Sequence, residues 1–165
     1  MTEESTDMKK IIIIAVILLT AAISAQAQEI NSIYNRYSGK EGVSSVYISP
    51  AMFNLMKDLP DVHVSAGDID FSGIIKTFKG MYILDIENKS LASSLASDIR
   101  SAIGSGKYQL LMEAAEEDES MQIYIASQGE IVTDLIMLAT EKDSVSVIAI
   151  SAEMTYADLQ KLISE

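Results

Sequence analysis

The stretch Tyr108–Ala152 constrains the fold more than any other part of the chain. Four runs in it carry the β-branched and aromatic composition that suits a pleated, partly buried surface: Tyr108–Ala114, Met121–Ala126, Ile131–Thr140 and Val145–Ala152. Short polar segments separate them: Glu116-Glu117-Asp118-Glu119-Ser120, Gln128-Gly129-Glu130 and Glu141-Lys142-Asp143. Each is short enough for a hairpin, so the four runs read as an antiparallel meander.

The alternation within the runs gives their setting. Met121, Ile123 and Ile125 fall on one face of the second run, opposite Gln122 and Tyr124. The last run is apolar on both faces, with Val145, Val147 and Ala149 on one and Ile148 and Ile150 on the other. A strand in the middle of a sheet reads this way. The third run has near-helical spacing at Ile131, Leu135 and Leu138, but it is short and bounded by turn residues, and we read it as a strand.

The chain ahead of the meander alternates helix and strand. Glu29–Ser38 reads as a helix, with Ile30, Ile33, Tyr34 and Tyr37 on one stripe and Gly39 as its stop. Val43–Ser49 reads as a strand. Ser49 then caps a helix that has Pro50 in its first turn and an apolar stripe of Met52, Phe53, Met56 and Leu59. Asp68–Lys79 reads as a further helix with Phe71, Ile74, Ile75 and Phe78 on one face, closed by Gly80. Met81–Ile86 reads as a strand and Asn88–Ile103 as a helix, with Leu91, Leu95, Ile99 and Ile103 recurring every fourth residue. A last helix follows at Tyr156–Ile163, capped by Thr155 and Asp158. The fold class these readings give is α+β: an antiparallel sheet of about five or six strands with helices packed mainly on one face.

The N-terminal segment reads as a leader. Lys9 and Lys10 precede an apolar run, Ile11–Ala22, and Ala25-Gln26-Ala27 has the small-x-small pattern of a cleavage site. The apolar run is shorter than the roughly 20 residues that span a bilayer. Residues 1–27 are therefore expected to be a signal peptide cleaved after Ala27. Residues 28–165 then form a single domain, exported to the periplasm or beyond, with no stable membrane anchor. The acidic lead Met1–Asp7 is out of place before a basic segment, and Met8 fits better as the first residue.

Three stretches resemble a known family. Val43–Met56 resembles the first strand and helix of domain of unknown function 4252, a family of small exported proteins common in Bacteroidetes. Tyr108-Gln109-Leu110-Leu111-Met112 resembles its Tyr-x-x-Leu-Met strand, and Ile131–Leu162 its closing hairpin and helix. The resemblance covers most of residues 28–165 and carries no catalytic motif. Many members have a lipobox cysteine. This chain has no cysteine, so a lipid anchor does not carry over. The family's association with extracytoplasmic-function sigma factors implies a role in envelope response.

Composition excludes several chemistries. Without cysteine there is no disulfide framework and no thiol nucleophile. A formal net charge of −12 repels nucleic acid and anionic lipid. His63 is the single histidine, and no metal-ligand spacing accompanies it. No Gly-x-Ser-x-Gly elbow is present. The acidic run Glu113, Glu116, Glu117, Asp118 and Glu119 lacks the spacing of a calcium loop, as does Asp68-Ile69-Asp70, and reads as a charged turn that discourages edge pairing. No catalytic, cofactor or metal residue is assigned, and the chain is not expected to be an enzyme. The first functional reading is a non-enzymatic binding or regulatory module of the cell envelope. The alternative is an envelope interaction protein that works through a sheet edge or a homodimer. A polar pocket around His63 favours enzyme chemistry, whereas a long uncovered edge strand favours the interaction protein. Methionines such as Met52, Met112, Met121 and Met137 read as core filling, with an adaptable binding groove as their other use.

Overall fold

The computed structural model describes residues 29–59, 65–66, 69–70 and 72–164. His63, the leader and its cleavage site lie outside the described residues. Helix α1 covers 29–37. It is followed by β1 (Val43–Ile48), α2 (Pro50–Lys57), the two-residue strands β2 (Ser65–Ala66) and β3 (Ile69–Asp70), and a 3-10 turn at Ile75–Thr77. Then come β4 (Phe78–Ile86), α3 (Lys89–Ile103), β5 (Gln109–Ala115), β6 (Ser120–Gln128), β7 (Ile131–Thr140), β8 (Val145–Thr155) and α4 (Tyr156–Ser164).

Six strands form one open antiparallel sheet in the order β1-β4-β8-β7-β6-β5. The meander β5–β8 pairs in sequence order because its connections are tight. Gly129, at φ +61, makes a two-residue turn between Gln128 and Ile131, which pair across the ladder. Strand β8 lies between β4 and β7, the central place that its two apolar faces predict.

Alternate residues feed two cores. The first contains Leu84 and Ile86 of β4, Ile136 and Leu138 of β7, and Val145, Val147 and Ala149 of β8. Helix α3 covers it with Leu95, Ala96, Ile99 and Ala102, and α1 adds Ile33 and Tyr37. Asn88 starts α3 by accepting the backbone N–H groups of Ser90 and Leu91, each at 3.1 Å. The second core contains Met81, Leu135, Met137, Ile150 and Met154 on the opposite face, closed by Phe53 of α2, Ile74 and Ile75 of the 3-10 turn, and Leu159 of α4. The molecule is thus α+β with a two-sided cover: the larger helix pair, α1 and α3, lies on one face, and the shorter pieces lie over one end of the other.

The capping predictions hold. Ser49 Oγ accepts the Met52 N–H at 3.3 Å with Pro50 in the first turn. Thr155 and Asp158 cap α4 reciprocally, at 3.2 Å and 3.0 Å. The helix expected over Asp68–Lys79 does not form. Its described residues are a short strand, a turn and the 3-10 segment, and Phe78 already belongs to β4. The spacing of Ile74, Ile75 and Phe78 brings all three into the second core, but Gly73 interrupts the run, and the strand pairs back to Ala152. Gly80 does not end a helix. It sits at the register shift in β4, with the Ile48 carbonyl 3.8 Å from where a Cβ would stand.

Candidate functional site

The polar side chains that could carry chemistry are dispersed. His63 and Asp68 lie outside the described residues. Glu113, on β5, accepts a hydrogen bond from Gln122 Nε2 at 3.2 Å. Glu116–Glu119 form the β5–β6 turn, closed by the Glu116 N–H donating to the Glu119 carbonyl at 2.8 Å. Among the described residues, no group of three or more His, Cys, Asp or Glu side chains converges as a metal site would require.

Two clusters combine burial with polar groups, and both have structural tasks. The Tyr37 hydroxyl donates to Asp98 Oδ2 at 2.8 Å, and Arg36 donates to the same oxygen at 2.7 Å. This ties α1 to α3. Burial, helped by the neighbouring carboxylate, pushes the Tyr37 phenol up to about 12. Lys107 pairs with Asp134 at 2.7 Å, with both side chains largely covered, and its ammonium lies 5.1 Å from the Tyr108 ring centroid. Burial also raises the Tyr108 phenol, with Asp134 as the lesser cause. The cleft beside this pair has a volume of about 20 Å³, room for one water. An open groove of about 200 Å³ runs between α3 and the β7–β8 hairpin, with Lys89, Arg100 and Lys142 on its walls. Lys89 is already paired with Asp143 at 3.4 Å.

The surface is more distinctive at the two ends of the sheet. Of nine exposed large apolar side chains among the described residues, five fall within β1, α2 and the residues just after it: Val46, Tyr47, Met52, Leu55 and Leu59. Three more, Leu110, Leu111 and Met112, lie on β5, whose seven residues are all exposed. The register explains the connection between the ends. Val46 pairs with Ile83, Ile83 with Ile148, Ile148 with Met137, Met137 with Ile123, and Ile123 with Met112. This apolar row crosses the whole sheet on the face of the second core. The elements that close that core leave Ile83, Ile148 and Ile123 only partly buried and both ends of the row exposed. Met112 thus sits on open surface and Met121 is half-buried, whereas Met81, Met137 and Met154 fill the core.

At the β1 end, three tyrosines pack against one another. The rings of Tyr47 and Tyr82 are 4.7 Å apart and 15° from parallel, and Tyr34 of α1 sits 4.9 Å from Tyr82. Burial, followed by the contact with Tyr47, raises the Tyr82 phenol. The alternation of Tyr47 with Val46 was visible in the sequence. Its place at a free edge was not, because that depends on β4 being the sole neighbour of β1 in the sheet.

The sequence model of a family described as Domain of unknown function (DUF4252) matches residues 37–162. No curated protein matches the chain. The crystal structure of PA94 from Pseudomonas aeruginosa, a protein of unknown function described as a candidate regulator, is similar at a TM-score of 0.33 and 9% identity, over 75% of this chain and 77% of that one.

Proposed function

The chain belongs to the DUF4252 family, and we propose that it is an exported, non-enzymatic interaction module of the cell envelope whose working surface is the ends of its open sheet. The observation that carries this reading is the gathering of exposed apolar side chains on β1–α2 and β5, joined by a half-covered apolar row. Monomeric surfaces scatter such side chains singly, and a contiguous set marks contact with another protein. Strand edges add a second means of attachment, because their outward N–H and C=O groups accept a further strand. Export is supported by the basic, apolar and Ala-x-Ala order of Lys9–Ala27.

Photocross-linking in the native envelope tests the proposal. A photoreactive phenylalanine analogue is placed at Tyr47, at Leu111 and, as a control, at exposed Glu153. Protein adducts are expected from the first two positions and not from the third. Equal labelling from all three, or none from either sheet end, removes the basis for the proposal.

A further inference from the structure

The two edges of the sheet differ in how well they can accept a strand. In β5 the register slips between Leu110 and Met112, a bulge that bends the edge. Glu113 sits in the same strand, and Glu116–Glu119 follow it. Bulges and charges are the devices that blunt an edge against pairing. Strand β1 has none of them. Val43-Ser44-Ser45-Val46-Tyr47-Ile48 is uncharged and free of proline, and its register with β4 runs without a shift. Among the described residues it has no neighbour on its outer side. Val46 is 44% exposed and Tyr47 48%. The Tyr47 ring is already held by its stack on Tyr82, so covering it costs little rotamer freedom.

We propose that β1 is the pairing edge and that its occupant is a second copy of this chain, joined antiparallel about a two-fold axis at Val46. This rests on the interaction-module reading and names its partner. In such a pair, side chains that meet across the axis must share a face of the sheet, so the axis falls on a residue rather than between two. At Val46 the match is self-complementary: Val46 meets its own copy, the Tyr47 ring faces the small Ser45, and Ile48 faces Ser44. Charge points to the same edge. Two chains of net charge −12 repel, and they can meet closely only where charge is absent. Pairing through β1 leaves each acidic β5–β6 turn at an outer end of a continuous sheet. At about 4.8 Å per strand the two turns stand roughly 50 Å apart, several Debye lengths at physiological salt.

The purified exported protein has no native cysteine, so a single introduced one reports cleanly. Under mild oxidation, the Val46→Cys variant is expected to form an intermolecular disulfide at least ~10 times faster than Leu111→Cys or Glu117→Cys, because only Val46 faces its own copy. In sedimentation equilibrium the unmodified protein is expected to be a dimer. Val46→Lys should raise its dissociation constant at least ~10-fold, and Leu111→Lys should leave it unchanged. Val46 is exposed in the protomer, so an unaltered urea midpoint for a dilute sample shows that Val46→Lys still folds. A monomer at ~500 µM, cross-linking at position 46 no faster than at 111, or a dimer broken by Leu111→Lys instead each overturns the inference. A monomer that still gives adducts from Tyr47 with a different protein overturns the self-pairing while leaving the interaction-module reading in place.

Discussion

Tyr37 shows how one side chain fixes the relation between two helices, and how it exposes that relation to alkali. Its ring is buried in the first core, while its hydroxyl shares Asp98 with Arg36. The phenol ordinarily titrates near 10 and is raised to about 12 in the fold. The unfolded chain therefore releases this proton first as pH rises. Between about pH 10 and 12 the folded state holds more protons, and stability falls as pH rises. The full effect is on the order of 2 kcal/mol, complete only as pH passes the folded value. Tyr37→Phe is expected to cost about 1 kcal/mol at neutral pH through the lost hydrogen bond and to flatten part of the alkaline fall. Urea unfolding of both proteins from pH 8 to 11 checks this, and parallel stability curves would show that ionisation of Tyr37 is not linked to folding. The helical stripe through Ile30, Ile33, Tyr34 and Tyr37 predicts which face of α1 is buried. The partner 61 residues away at Asp98 leaves no mark in the sequence, because a single hydrogen bond imposes no periodicity.

Strand β8 shows what a pattern does and does not tell about an element. Two apolar faces place it in the middle of the sheet, and the structure agrees. The same pattern predicts equal intolerance to charge on both faces, and here the structure draws a distinction. Val147 is buried under α3 in the first core, whereas Ile148 lies on the uncovered half of the other face and is only partly buried. Val147→Asp is expected to cost about 3 kcal/mol or more, since no partner for the carboxylate is at hand. Ile148→Asp, still partly hydrated, should cost about 1–2 kcal/mol. Urea midpoints distinguish the two, and equal losses would mean that the second face is covered as fully as the first. Periodicity reports which residues avoid water within a strand, whereas the extent of cover depends on helices distant in sequence. The same limit explains the helix expected over Asp68–Lys79. Its apolar spacing marks residues that become buried, but a 3-10 turn leading into a long strand buries them as well.

At the scale of the whole molecule, an open sheet with apolar ends has to stay in solution, and the charge distribution shows how. The meander and its caps were legible because hairpins and caps are local. The two-sided cover and the exposed ends were not, since they follow from β4 joining β8 and β1 joining β4. Acidic residues outnumber basic ones 24 to 12, and Glu113 with Glu116–Glu119 places a dense group of them beside the apolar β5 edge. Repulsion between molecules therefore acts where a strand would otherwise add. Protonation removes that repulsion. With a sequence pI of about 4.4, the net charge vanishes well below neutral pH, near the range in which carboxylates titrate. Static light scattering is therefore expected to stay flat from pH 8 to about 6 and to rise as pH approaches the pI. Leu111→Lys removes an apolar side chain from β5 and should lower the height of this rise, although its added cation moves the onset to slightly higher pH. Gln128→Lys raises the pI equally but leaves β5 intact, so it should move the onset alike without lowering the height. Equal effects from the two positions would trace the association to net charge alone and not to the β5 edge.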